Sequence, residues 1–178
     1  MASKLLVRGL NWLGDAVMSL PALASLGQEE PAKEIMVVAG PSATAVYSRA
    51  PLRPKVLADP KGLRSRLKLI KALKNFSPEK TLLLQNAFGA AALAFLAGLP
   101  NREGYARDGR GILLNRAIPI QPKYRLAHEA FYYLGLLTDL GYPAAYSSPR
   151  LVLEPDDLKL SQDLSLSKEG FYLALAPG

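Results

Sequence analysis

Short, uninterrupted apolar runs alternate along this chain with longer segments of helical period. Residues 4–8 (KLLVR), 34–39 (EIMVVA) and 80–84 (KTLLL) lack the polar alternation of a strand with one wet face. They predict strands covered on both faces, as in a parallel sheet. The first helix is expected from about Asp15 to Leu26, with Val17, Leu20 and Ala24 on one face and Pro21 removing one internal hydrogen bond and kinking it. Gly40-Pro41 opens a second, short helix, Ser42 to Arg49, since Pro suits a first turn. A third, Gly62 to Phe76, carries Leu63, Leu67, Ile70 and Leu73 as an apolar stripe and Arg64, Lys68 and Lys71 as a basic one. A fourth, Ala87 to Ala97, is so rich in Ala and Gly that it must pack closely on its neighbours.

The punctuation then changes. Gly98 to Tyr105 reads as a turn and a short strand, and Ala106 to Gly111 as a glycine-arginine loop; across the two, Arg102, Arg107 and Arg110 are candidate contacts for a carboxylate or phosphate. A long helix follows from Leu126 to Leu140, with Phe131, Leu134, Leu137 and Thr138 on its apolar side and Gly141 as its C-cap. Leu151 to Leu153 is a short extended piece, and acidic Asp156 and Asp157 suit the start of a last helical stretch to Ser167. Phe171 to Ala176 then looks like a buried strand that stops at Pro177-Gly178. The alternation predicts an α/β fold, a Rossmann-like doubly wound and mostly parallel sheet. Residues 1–167 are expected to form that domain and 168–178 to begin a second βα unit, although pattern alone equally allows a last strand completing the first sheet.

Composition narrows the chemistry. A hydrophobic share of 49% with 21% charged residues fits a globular protein. Without cysteine there is no disulfide, thiolate metal site or cysteine nucleophile. No signal-peptide core follows Met1, and the longest weakly apolar run, Ala87 to Leu99, falls short of the roughly 20 residues that cross a bilayer, so a cytoplasmic protein is expected. The net charge of +7 attracts polyanions, among which nucleic acid, an anionic membrane face and a phosphorylated saccharide all qualify; it also serves solubility. Aromatic residues make up 8% and do not interleave with the basic ones as in stacking platforms, which argues against RNA. Neither a G-x-x-x-x-G-K-[ST] loop nor a G-x-G-x-x-G turn is present. His128, the one histidine, has no partner at ligand spacing, so a structural role and no metal are expected.

The turn after the first strand holds the most informative residues, Gly9-Leu10-Asn11-Trp12-Leu13-Gly14-Asp15. Gly9 and Gly14 allow a tight turn and a close approach to a ligand. In an open α/β sheet ligands collect beyond the carboxyl ends of the strands, so Asp15 stands where a substrate is held. Its carboxylate also suits a plain helix cap, and local chemistry leaves both readings open.

Three segments in this order, NWLGDAVMSLPAL, QNAFGAAALAFLAGLPNREGYARDGRGILLN and FYLALAPG, resemble the N-terminal half of the ADP-heptose:lipopolysaccharide heptosyltransferases, the heptosyltransferase II branch above all. The resemblance implies the GT-B arrangement of two Rossmann-like halves, the front one receiving the lipopolysaccharide inner core with its Kdo sugars and the rear one binding ADP-heptose. By position it makes Asp15 the catalytic base of an inverting transfer and Asn11, Trp12, Leu13 and Gly14 the loop shaping the cleft. It gives Arg64, Lys68, Arg107 and Arg110 a reason as contacts for an anionic acceptor. It further implies no cofactor besides the donor substrate, peripheral association with the inner membrane, and a chain that is inactive without the donor half. A related glycosyltransferase with another sugar donor, or a non-enzymatic basic module, are the competing expectations.

Overall fold

A computed structural model describes residues 3–29, 34–125, 127–157 and 159. Six parallel strands form one sheet: β1 (Lys4–Arg8), β2 (Glu34–Ala39), β3 (Lys55–Ala58), β4 (Lys80–Leu83), β5 (Arg102–Tyr105) and β6 (Arg116–Ile118), in the order β3-β2-β1-β4-β5-β6. The helices are α1 (Leu13–Glu29), α2 (Thr44–Ser48), α3 (Leu63–Phe76), α4 (Phe88–Leu96), α5 (Pro122–Arg125) and α6 (Glu129–Leu140). The three apolar runs are indeed the central strands, β1 lying between β2 and β4 with Val7 opposite Val37 on one side and Leu82 on the other.

Strand alternation divides the core into two layers. Leu5, Val7, Ile35, Val37, Leu82 and Leu84 face α1 and α6, while Leu6, Met36, Val38 and Leu83 face α3 and α4. Each central strand is therefore apolar on both sides, which is why it reads as an unbroken run. The edge strands β3 and β6 carry few buried positions and leave no such signature in the sequence.

Several helix faces differ from their expected ones. α1 buries Ala16, Ser19, Leu20, Leu23 and Leu26, with Val17 and Ala24 only half-buried, because it packs on the sheet with α6 beside it and needs two apolar flanks. In α3 the buried residues are Leu69, Leu73 and Phe76; Leu63 and Leu67 point outward among the basic side chains. The second helix is a 3₁₀ turn, Pro41–Ala43, followed by α2. The helix expected from Leu126 starts at Glu129, with Phe131 and Thr138 exposed and Ala130, Tyr132, Tyr133, Leu134 and Leu137 buried, and residues 155–157 are helical as expected. His128 is its N-cap, Nδ1 accepting from the Ala130 amide at 3.3 Å, and Gly141 closes it with φ 79° as expected. Asp157 likewise accepts from the Glu154 amide at 2.7 Å. Leu126, the stretch from 160 to 167, and the division at 168 lie outside the described residues.

Candidate active site

Chain direction reverses between β1 and β4, where the connection from β1 runs to β2 and that from β4 runs to β5. A crevice opens at such a switch point beyond the carboxyl ends of the strands. Two loops form its floor, Gly9–Trp12 after β1 and Leu84–Ala87 after β4.

A buried arginine braces each loop. Arg8, the last residue of β1, donates from Nη1 to the carbonyls of Gly9 (2.8 Å) and Val38 (2.9 Å), and from Nη2 to Asn11 Oδ1 (3.2 Å) and Asp59 Oδ2 (2.7 Å). Burial pulls its guanidinium below the usual range, and the Asp59 carboxylate opposes that. The Tyr47 hydroxyl accepts from the Leu10 amide at 3.0 Å and shares a 2.8 Å hydrogen bond with Ser19 Oγ; burial pushes this phenol up. Gly9 lies under that ring, where a Cβ would meet Tyr47 carbons at 2.9 Å.

Arg110 does for the second loop what Arg8 does for the first. It is fully buried, donating from Nε to the Tyr105 carbonyl (2.8 Å), from Nη1 to the Gln85 carbonyl, and from Nη2 to Asn86 Oδ1 (3.0 Å) and the Leu83 carbonyl (3.4 Å). Asn86 Nδ2 in turn donates to the Tyr132 hydroxyl at 2.7 Å. Desolvation lowers Arg110 to about 10, and no carboxylate among the described residues is paired with it. The expectation that Arg110 meets the ligand is therefore corrected: its donors are consumed by backbone carbonyls and Asn86. Arg102 is withdrawn in the same way, bonded to the carbonyls of Leu99 and Leu113 and lying 5.2 Å over the Phe95 ring.

Asp15 is the third residue of α1, not its cap. Its carboxylate is half-buried and has no hydrogen-bond partner among the described residues; the Tyr47 and Tyr133 side chains lie within its electrostatic reach. The Trp12 carbonyl accepts the first bond of the helix, from Ala16 N at 3.0 Å. Trp12 is 74% exposed and Leu13 58%, so the loop presents a bare apolar edge beside the carboxylate. Gly14 has open space around it, whereas Gly40 joins Gly9 as a glycine of close approach, where a Cβ would fall 2.7 Å from the Asn11 backbone. Gly40→Ala should push that loop aside and lower stability by about 1–3 kcal/mol, read from the urea midpoint.

Two hollows flank the switch point. One, of about 430 Å³, is lined by Asn11, Trp12, Ser42, Asp59, Lys61 and Arg66 among others. The other, of about 650 Å³, is lined by Arg107, Asp108, Tyr124, Glu129 and Tyr132 among others. Asp15 lines neither of them. A hydrogen bond to Tyr132 raises the Arg107 guanidinium, and Asp108 pairs with it at 3.6 Å. On the other side Arg66, 3.9 Å from Asp59, is the α3 cation that reaches a hollow; Arg64 and Lys68 are exposed and line neither. Arg8, Asp59 and Arg66 carry no signal of their role in the sequence beyond one: an arginine ending an apolar run (KLLVR) is itself a sign of a buried, hydrogen-bonded cation. Among the described residues no three His, Asp or Glu side chains gather as a metal site.

Residues 66–178 match the model of glycosyltransferase family 9 (heptosyltransferase). The chain is 32% identical to lipooligosaccharide heptosyltransferase 2 of Haemophilus ducreyi and 30% identical to lipopolysaccharide heptosyltransferase 2 of Salmonella typhimurium, over 98% of its own length in both cases. It covers 54% of each, so it spans about half the length of these relatives. The fold superposes on E. coli ADP-heptose lps heptosyltransferase II with a TM-score of 0.74 at 26% identity, over 93% of this chain and 52% of that one. On these grounds, and with the six-stranded Rossmann-like sheet they share, the chain belongs to glycosyltransferase family 9, the heptosyltransferase family.

Proposed function

We propose that this chain is the acceptor-binding half of an inverting heptosyltransferase that moves heptose from ADP-heptose onto the inner core of lipopolysaccharide, in the cytoplasm at the inner face of the membrane. One observation carries the reading: a half-exposed carboxylate, Asp15, without a hydrogen-bond partner among the described residues, sits at the head of α1 on the switch-point edge of the sheet. A carboxylate kept this free is suited to take a proton. The acceptor hydroxyl gives its proton to an Asp15 oxygen while its own oxygen attacks the anomeric carbon. The bond from that carbon to the ADP phosphate oxygen breaks with its electron pair leaving on the ADP, and the configuration inverts. Such a base contributes about 10²–10⁴-fold.

The neighbouring groups fit an anionic saccharide. Lys61 and Arg66 on one side and Arg107 on the other supply cations at the rims of the two hollows, and Trp12 offers an exposed ring of the kind that lies against a sugar. ADP-heptose is assigned to the other half of the relatives' length.

Trp12 is the chain's single tryptophan and makes the test direct. Titration with a Kdo-containing core oligosaccharide should change its fluorescence and saturate. Arg66→Ala should weaken that binding about tenfold, the cost of one charge-assisted hydrogen bond. A signal that never saturates, or an equal response to generic single-stranded RNA that vanishes with salt, would instead mark a basic polyanion-binding module.

A further inference from the structure

One face of the molecule is left outside this reading. α4 (FGAAALAFL) carries no polar side chain at all. Ala90, Ala91 and Ala94 pack inward on the sheet, and Phe88, Phe95 and Leu96 face away, with Leu96 73% exposed. A helix apolar on every side is normally covered on every side. α3 lies next to it, the two sharing the core layer under Leu73 and Ala94. Its outer surface holds Leu63, 77% exposed, and Leu67 among Arg64, Lys68, Lys71 and Lys74, and the helix contains no acidic residue.

We propose that the outer face of α3 and α4 is where the protein rests on an anionic lipid bilayer. The occupant follows from the combination of chemistries. An apolar row calls for an apolar medium, whereas the adjoining cations call for negative charge at the same level, and an anionic bilayer presents both within a few ångströms of depth. Lysine stems lie along the apolar surface while their ammonium groups stay among the headgroups. In a parallel sheet the crossover helices begin at the carboxyl edge of the strands, so Leu63 and Phe88 lie at the same end of the domain as the crevice. A bilayer against this face holds the crevice near headgroup level. The choice of a bilayer rests on the proposed acceptor, which is anchored in one.

Cosedimentation of the 178-residue chain with vesicles tests it. The chain should bind vesicles of phosphatidylcholine mixed with phosphatidylglycerol, not pure phosphatidylcholine, and binding should fall as salt rises. Phe95→Ser with Leu96→Ser should lower the partition coefficient about tenfold or more through lost apolar burial. Lys71→Glu with Lys74→Glu should lower it by at least about tenfold through lost attraction to the surface. All four positions are exposed, so an unchanged thermal midpoint accompanies the loss. Absence of binding by the unaltered chain, or equal binding by both paired variants, overturns the proposal. So does a longer protein with both halves that no longer binds mixed vesicles, since its second half then covers the face. Sedimentation reads no turnover, so a failure of the transferase reading leaves this result standing. If both hold, the Phe95/Leu96 pair slows transfer to vesicle-embedded acceptor and leaves transfer to a delipidated core unchanged.

Discussion

Asp15→Asn, in a protein that carries this half beside a donor-binding half, lowers kcat by about 10²–10⁴-fold. Asparagine keeps the volume and polarity of the half-buried side chain but has no lone pair basic enough to take the acceptor proton. The carboxylate makes no hydrogen bond to the described residues, so its replacement leaves no protein donor unpaired and the fold should not move. The KM for the acceptor should shift by less than about threefold, because a base acts in the transition state more than in the ground state. Steady-state kinetics with purified acceptor separate the two parameters. An unchanged kcat removes Asp15 from the chemistry, and a raised KM at constant kcat makes it an acceptor contact.

Arg110→Ala destabilises the domain by about 3–5 kcal/mol. The guanidinium satisfies the carbonyls of Leu83, Gln85 and Tyr105 as well as Asn86 Oδ1; only the Tyr105 carbonyl keeps a second donor, the Arg107 amide at 3.0 Å, among the bonds described. A cavity of several methylenes adds to the loss. Lysine cannot restore the network, since one ammonium does not reproduce the planar fork that spans the ends of β4 and β5. Against a typical total of about 5–15 kcal/mol the change brings unfolding within reach of mild urea. Arg107→Ala, three residues away and exposed, should stay within about 0.5 kcal/mol of the unaltered chain. A loss under about 1 kcal/mol for Arg110→Ala would mean that water replaces its donors and the loop is not held from below.

These two arginines show where the sequence was legible and where it was not. Burial on both faces makes a strand uniformly apolar, so β1, β2 and β4 stood out, as did α6 at its Gly141 end. β3 and β6 have only one neighbour each and need little apolar character, so they were silent. Helical period located α3 but not its inward face, because Leu63 and Leu67 lie on the outward side with the basic residues and period alone does not say which apolar residues meet the sheet. Around the crevice, the loop from Asn11 to Asp15 was read from its position after a strand. Arg107 and Arg110 looked alike in a glycine-arginine loop, yet one is exposed beside a hollow and the other is sealed in the core. The difference arises from distant carbonyls on β4 and β5 that no local pattern reveals. The pairing of Arg8 with Asp59, across the whole first βαβ unit, was invisible for the same reason.

The central place of β1 has a consequence for how the protein is made. β1 leaves the ribosome before both of its partners: β2 pairs with one side soon afterwards, but the other edge waits for Lys80–Leu83. Until then a nascent chain displays an unpaired rim of Leu5, Leu6 and Val7, the kind of exposed edge that recruits other chains. Chaperone dependence during translation should accordingly be greatest for chains stalled short of Lys80, and should drop once residues 80–83 have emerged.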